Sequence, residues 1–142
     1  MKRIKIFISS VQSEFAEERA MLCNYIRTDV LLGKFFEPFI FEEVPANEYP
    51  TSHVYLKEVE LCDIYVGLYG NLYGYEDEEG FSPTEREYDL AAKLHKSRLI
   101  YIKSIGEDKR HPKESALIRK VERDIVRKTF VDIDGLRTSV YA

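Results

Sequence analysis

Two cysteines, Cys23 and Cys62, are all that this 142-residue chain contains. They lie far apart, each inside an apolar pattern, which excludes a disulfide framework and leads us to expect reduced core thiols and a cytoplasmic setting. Histidine is scarcer than its chemistry would require for zinc: His53, His95 and His111 have no Cys or His partner at ligand spacing, and no metal site is expected. Long hydrophobic runs are lacking as well. The start, MKRIKIFISS, is basic, but its apolar stretch is short and broken by Lys5, so it reads as a first strand, not as a signal or a span. Glycine-rich phosphate fingerprints are missing too. The first strand ends in Ser9-Ser10, and Gly67, Gly70 and Gly74 fall in or after the third strand, which fits neither the Walker nor the dinucleotide pattern. Repeats, low-complexity tracts and Gly/Ser linkers are absent, and the length suits one domain over residues 1–142.

What is present is an alternation of strand and helix. Ile4, Ile6, Phe7 and Ile8 predict a strand. A helix follows, opening with Glu14, Glu17 and Glu18, carrying Phe15, Leu22 and Ile26 on one face and running to about Thr28. Phe35 to Phe41, interrupted by Pro38, suits a sheet edge, because proline cannot donate to the ladder. A helix from about Ser52 to Leu61 leads to the interior strand Asp63 to Tyr69, then come the helix Glu85 to His95 and the strand Arg98 to Lys103. His111-Pro112 precedes a helix with Ala116, Leu117, Val121 and Ile125, and Thr129 to Ile133 makes a last strand. This order predicts a three-layer α/β/α, flavodoxin-like fold with a five-stranded parallel sheet ordered 2-1-3-4-5. Beyond Asp134 only eight residues remain, too few for a full covering helix, which points to the amino-terminal part of a longer multidomain protein.

The formal charge of −4 hides an asymmetry. Acids dominate from Glu37 to Asp89 and bases from Lys93 to Lys128. No aromatic residue interleaves the stretch from Lys109 to Lys128, so base stacking, and with it direct nucleic-acid binding, is not expected; a solvated helix face or docking against an acidic neighbour is. The acidic run Glu76, Asp77, Glu78 and Glu79 lacks the alternating ligands of a calcium loop and reads as a solvated loop tip.

Ligands of open parallel sheets bind outside the carboxyl ends of the strands. That nominates Ser9 and Ser10 after the first strand, Glu42 and Glu43 after the second, and Asn71, Tyr73 and Tyr75 after the third, in a loop longer than the connection needs. Ser82-Pro83-Thr84-Glu85 is a capping box, which accounts for Glu85 by helix capping. Glu87 is different. It shares a sheet-facing stripe with Ala91 and Leu94, where an unpaired carboxylate would cost several kcal/mol or take up a proton. Either Arg86, Arg98 or another base pairs with it, or it works.

The segments FISSVQSEFAEER and CDIYVGLYGNLYGYEDEEGFSPTEREYDLAAKLHKSRLIYIK resemble an uncharacterised TIR-like family often found ahead of Schlafen/AlbA-type DNA-binding modules in helicase-related proteins. Thr84, Glu87, Ala91 and Lys96 are also similar to the wider group of TIR domains and nucleoside deoxyribosyltransferases. This chain departs at Asp89, where the transferases usually have glycine, and at His95-Lys96-Ser97, where Gly-Lys-Pro is common. The resemblance implies Glu87 as catalytic residue and cleavage of an N-glycosidic bond in NAD or a nucleoside, with no cofactor required. Ser9 and Ser10 would hold ribose or phosphate and Tyr73 or Tyr75 would stack on the base, with the matching Thr84 beside them; Glu43 stays a ligand-binding candidate by its place after the second strand. It equally implies a regulatory or signalling module that binds a nucleotide without cleaving it, or one that works by self-association or docking on a partner protein.

Overall fold

The computed structural model describes residues 2–40 and 51–141. Five strands, β1 (Ile4–Ser9), β2 (Phe36–Phe39), β3 (Ile64–Tyr69), β4 (Ser97–Lys103) and β5 (Arg127–Phe130), form one sheet in the order β2-β1-β3-β4-β5. Every neighbouring pair is parallel. Helices α1 (Gln12–Thr28), α2 (Leu32–Phe35), α3 (Thr51–Leu61), α4 (Pro83–Lys93), α5 (Pro112–Asp124) and α6 (Ile133–Tyr141) connect and cover it. This is the flavodoxin-like three-layer arrangement that the alternation predicts.

The period-2 alternation of the strands sorts the core into two layers. Ile6, Ile8, Val66, Leu68 and Tyr101 pack with Phe15, Leu22 and Ile26 of α1 and with Leu136 of α6. Phe7, Tyr65, Tyr69, Ile100 and Ile102 face the other way, onto Val59 of α3, Tyr88 and Ala91 of α4, and Leu117 and Val121 of α5. Pro38 sits opposite Ile6 on the edge strand, where its missing N–H leaves no gap in the ladder.

Several boundaries differ from expectation, among them those of α4, which runs from Pro83 to Lys93 and not from Glu85 to His95. The edge strand is shorter, Phe36–Phe39. The last strand begins earlier, at Arg127, and ends at Phe130. The residues after it form α6, whose Leu136 is fully buried in the α1 layer, so nine residues suffice to cover that corner of the sheet. Leu94 closes no stripe: it lies at the C-cap of α4 and is 40% exposed. Asp63 lies just ahead of β3 and accepts from the Lys5 backbone N–H, pinning the end of the sheet remote from the site. Among the described residues no helix is long and apolar enough to cross a membrane.

Candidate functional site

The chain leaves β1 toward β2 on one side and returns to β3 on the other, so the winding reverses between β1 and β3. Outside their carboxyl ends lies a cavity of about 490 Å³, within the range of small-molecule sites. Its described walls come from Ser10, Val11 and Ser13 where β1 passes into α1, from Gly74 and Tyr75 of the loop after β3, and from Thr84 and Glu87 of α4.

Glu87 is 6% exposed and reaches the cavity from the second turn of α4. Its Oε1 accepts a 2.6 Å hydrogen bond from the Ser9 hydroxyl. Burial pushes its carboxyl up to about 8, against the opposing pull of the Ser9 hydrogen bond and the Arg19 charge. The bases expected as partners are engaged elsewhere. Arg86 pairs with Asp77 at 3.0 Å and Glu79 at 3.1 Å, and Arg98 donates to the Tyr88 hydroxyl.

Arg19 is the residue that sequence reasoning missed. It is 2% exposed on the sheet-facing side of α1 and donates to the Ser10 hydroxyl at 2.8 Å and to the Ile8 carbonyl at 3.3 Å. A signal existed: Arg19 falls at helical spacing between Phe15 and Leu22, a charge on an apolar stripe like Glu87 on its own.

The structure brings Ser9, Ser10, Thr84 and Glu87 together. Tyr75 lines the cavity, its side chain largely in solvent at 85% exposure. Asn71 and Tyr73 are elsewhere. Asn71 ties the loop after β3 to the one after β4, donating to the Ile105 and Gly106 carbonyls at 3.0 and 2.9 Å. Tyr73 is buried, stacks on His111 and donates to Glu85 Oε1, so its ring is not available to a ligand. Glu42 and Glu43 lie outside the described residues.

Two structural expectations also change. Ser82 caps α4 by accepting from the Glu85 N–H at 3.2 Å, but the Glu85 carboxylate turns away from the reciprocal bond. Tyr73 and Lys120 hold it instead, because a desolvated carboxylate gains more from a phenol and an ammonium than from one amide. The acidic loop tip is also organised. Asp77 Oδ1 accepts from the Glu79 and Phe81 N–H groups while Oδ2 meets Arg86, and Glu76 pairs with Lys113. The α5 bases are thus partly spent within the domain, Lys120 bridging Glu85 and Asp89.

Lys96, part of the motif that carries the resemblance, lies at the far end of α4. It donates to the Glu60 carbonyl at the end of α3, at 2.8 Å, and has a structural role. Among the described residues no cluster of three or more potential metal ligands occurs.

Among solved structures, the chain is similar to the CMP N-glycosidase BcmB of Clostridium botulinum, at 12% identity and a TM-score of 0.59, over 97% of this chain and 99% of that one. It is also similar to a 2-desoxiribosyltransferase from Leishmania mexicana, at 18% identity and a TM-score of 0.51, over 70% of this chain and 64% of that one. At these identities the likeness establishes the fold. No curated protein matches the sequence. A family model does, over residues 5–142, and the chain belongs to that family, described as a domain of unknown function, DUF4062.

Proposed function

We propose that the domain cleaves the N-glycosidic bond of a nucleoside or nucleotide, with Glu87 meeting the anomeric carbon. One observation carries this reading: a buried carboxylate, held by a serine hydroxyl, reaches a cavity at the switch point of the sheet. A group so placed can approach C1′ from the protein side while the base lies toward Tyr75 and the mouth. In the ionised form, a Glu87 oxygen attacks C1′ as the bond to the base nitrogen breaks. The base leaves with the bonding electron pair and takes a proton from solvent, and water then hydrolyses the glycosyl ester. Ser9 fixes which carboxylate oxygen is held back and which is free to attack. The two structural neighbours act on CMP and on deoxyribosyl substrates, and this supports the substrate class.

The test is incubation of the domain with CMP, 2′-deoxycytidine and NAD, each separately, with chromatographic detection of free base at pH 8.5. Base release from one of them that Glu87→Gln abolishes is the expected result. No release at high protein concentration, with a ligand nonetheless raising the melting temperature, would assign the cavity to binding without cleavage.

A further inference from the structure

Ser9 belongs to a buried line of four polar groups. On β3 the residues Tyr65, Gly67 and Tyr69 share the face that α4 covers, and Gly67 stands beside Ser9 in the β1–β3 register. The gap at Gly67 is filled by its neighbour: a Cβ built there would stand 2.8 Å from both Cζ and Oη of Tyr69. Laid across that gap, the Tyr69 hydroxyl reaches the Tyr65 hydroxyl at 2.8 Å, and Ser9, beside Gly67 on the same face, is near enough to act on the Tyr65 phenol. Both tyrosines are fully buried, and burial raises both phenols well above their ordinary range, so they remain neutral hydroxyls across the working pH range.

The direction of these bonds follows from proton counting. Ser9 has one hydroxyl proton and gives it to Glu87, so toward Tyr65 it can only accept. A Tyr65 proton turned toward Ser9 leaves Tyr65 to accept from Tyr69. When Glu87 is ionised, three hydroxyl dipoles therefore line up toward one carboxylate oxygen, each strengthening the next. Among the described residues the charged group acting on Glu87 is Arg19 of α1, and the neutral groups are Ser9 of β1 and, behind it, Tyr65 of β3.

We infer that Tyr65 and Tyr69 are positioning residues for Glu87, acting through Ser9, and that Gly67 exists in β3 to let their hydroxyls meet. The inference rests on the proposed role of Glu87 for its catalytic consequence, and its physical content stands apart from that role. Two readouts separate them. In protein labelled with carbon-13 at the glutamate carboxyls, the Glu87 resonance is identified by its loss in Glu87→Gln and titrated. Tyr65→Phe removes the hydroxyl behind Ser9 and weakens the bond that Ser9 gives to the ionised state, so the midpoint moves to higher pH. Tyr69→Phe moves it the same way by less, and Tyr101→Phe, buried on the opposite face, leaves it in place. With CMP as substrate, Tyr65→Phe lowers kcat roughly three- to tenfold, the loss of one hydrogen bond, with KM changed by less than about twofold. An unchanged midpoint in Tyr65→Phe, or an equal shift in Tyr101→Phe, overturns the inference. A shifted midpoint without turnover by the wild type upholds the hydroxyl chain and overturns the glycosidase reading. Should Tyr65→Phe fail to fold, Tyr69→Phe carries the same test.

Discussion

Ser9 and Glu87 are 78 positions apart, yet the serine hydroxyl lies 2.6 Å from Glu87 Oε1, joining the end of β1 to the second turn of α4. Neither residue serves the cap of α4, where Ser82 accepts from the Glu85 N–H, so the bond is not a by-product of helix formation. Replacing Glu87 by Gln keeps the volume and a hydrogen-bonding partner for Ser9 and removes the nucleophilic oxygen. Base release should fall by roughly 10³-fold or more, with a melting transition that remains cooperative. A Gln variant that retains activity would remove Glu87 from the reaction.

The pH dependence of rate and of stability should run in opposite directions. Burial holds the Glu87 carboxyl at about 8 against an ordinary value of 4.5. The folded state binds this proton more tightly than the unfolded chain does. The resulting stability is intact below about pH 4.5 and is lost as pH climbs to about 8. Glu114, raised to about 8 mainly by burial, adds a contribution of the same sign. Catalysis by the ionised form gains over the upper part of this interval, so kcat/KM should rise with pH to a plateau above about 8. Glu87→Gln removes one of the two titrations. Its melting temperature relative to wild type should therefore improve from pH 5 to about pH 8 and level off above it, by an amount worth roughly a few kcal/mol at most. A pH-independent difference would mean that Glu87 titrates normally.

The departure of His95-Lys96-Ser97 from Gly-Lys-Pro has a backbone explanation. His95 adopts φ 57°, the left-handed region, directly after α4, and the Lys96 N–H closes onto the Ala91 carbonyl at 2.9 Å. This is the helix-ending geometry that glycine fills without strain. His95→Gly should stabilise the domain by roughly 1 kcal/mol, read as a raised denaturation midpoint with an unchanged denaturant slope. Activity should not change, because His95 is at the end of α4 away from the cavity.

Legibility in the sequence followed how local each cause was. Strand faces, the order of elements, the Ser82-Pro83 cap and the oddness of Glu87 were readable, because period-2 and period-3.6 patterns and capping are written over a few residues. The partner of Glu87 was not. Charge alone nominates Arg86, Arg98 or another base; the structure gives Glu87 a hydrogen bond from a serine 78 positions away, placed by the β1–β3 pairing, and the nearby charge of Arg19 instead of Arg86 or Arg98. The length of their loop nominates Tyr73 and Asn71, but a long loop does not reveal which side chains turn inward to fasten it. Glu85 was assigned to the cap from a four-residue motif, while its actual partners Tyr73 and Lys120 come from a loop and from α5.

Gly67 offers a test of packing that does not depend on chemistry. Gly67→Ala sets a methyl 2.8 Å from the Tyr69 ring and 2.9 Å from Ile100 Cδ1, distances that require movement. Ile100 can yield by a rotation of its end methyl. Tyr69 cannot, since its ring is fully buried and its hydroxyl is held by Tyr65. The variant should lose roughly 1–3 kcal/mol, the usual cost of overpacking. Tyr69→Leu alone leaves a cavity and should cost a similar or larger amount. Combined, the new methyl occupies part of the space the ring vacates, so the double variant should be more stable than the sum of the two losses predicts. A double-mutant cycle by chemical denaturation reads that coupling directly. Strict additivity would show that Gly67 and Tyr69 do not share the space the geometry gives them.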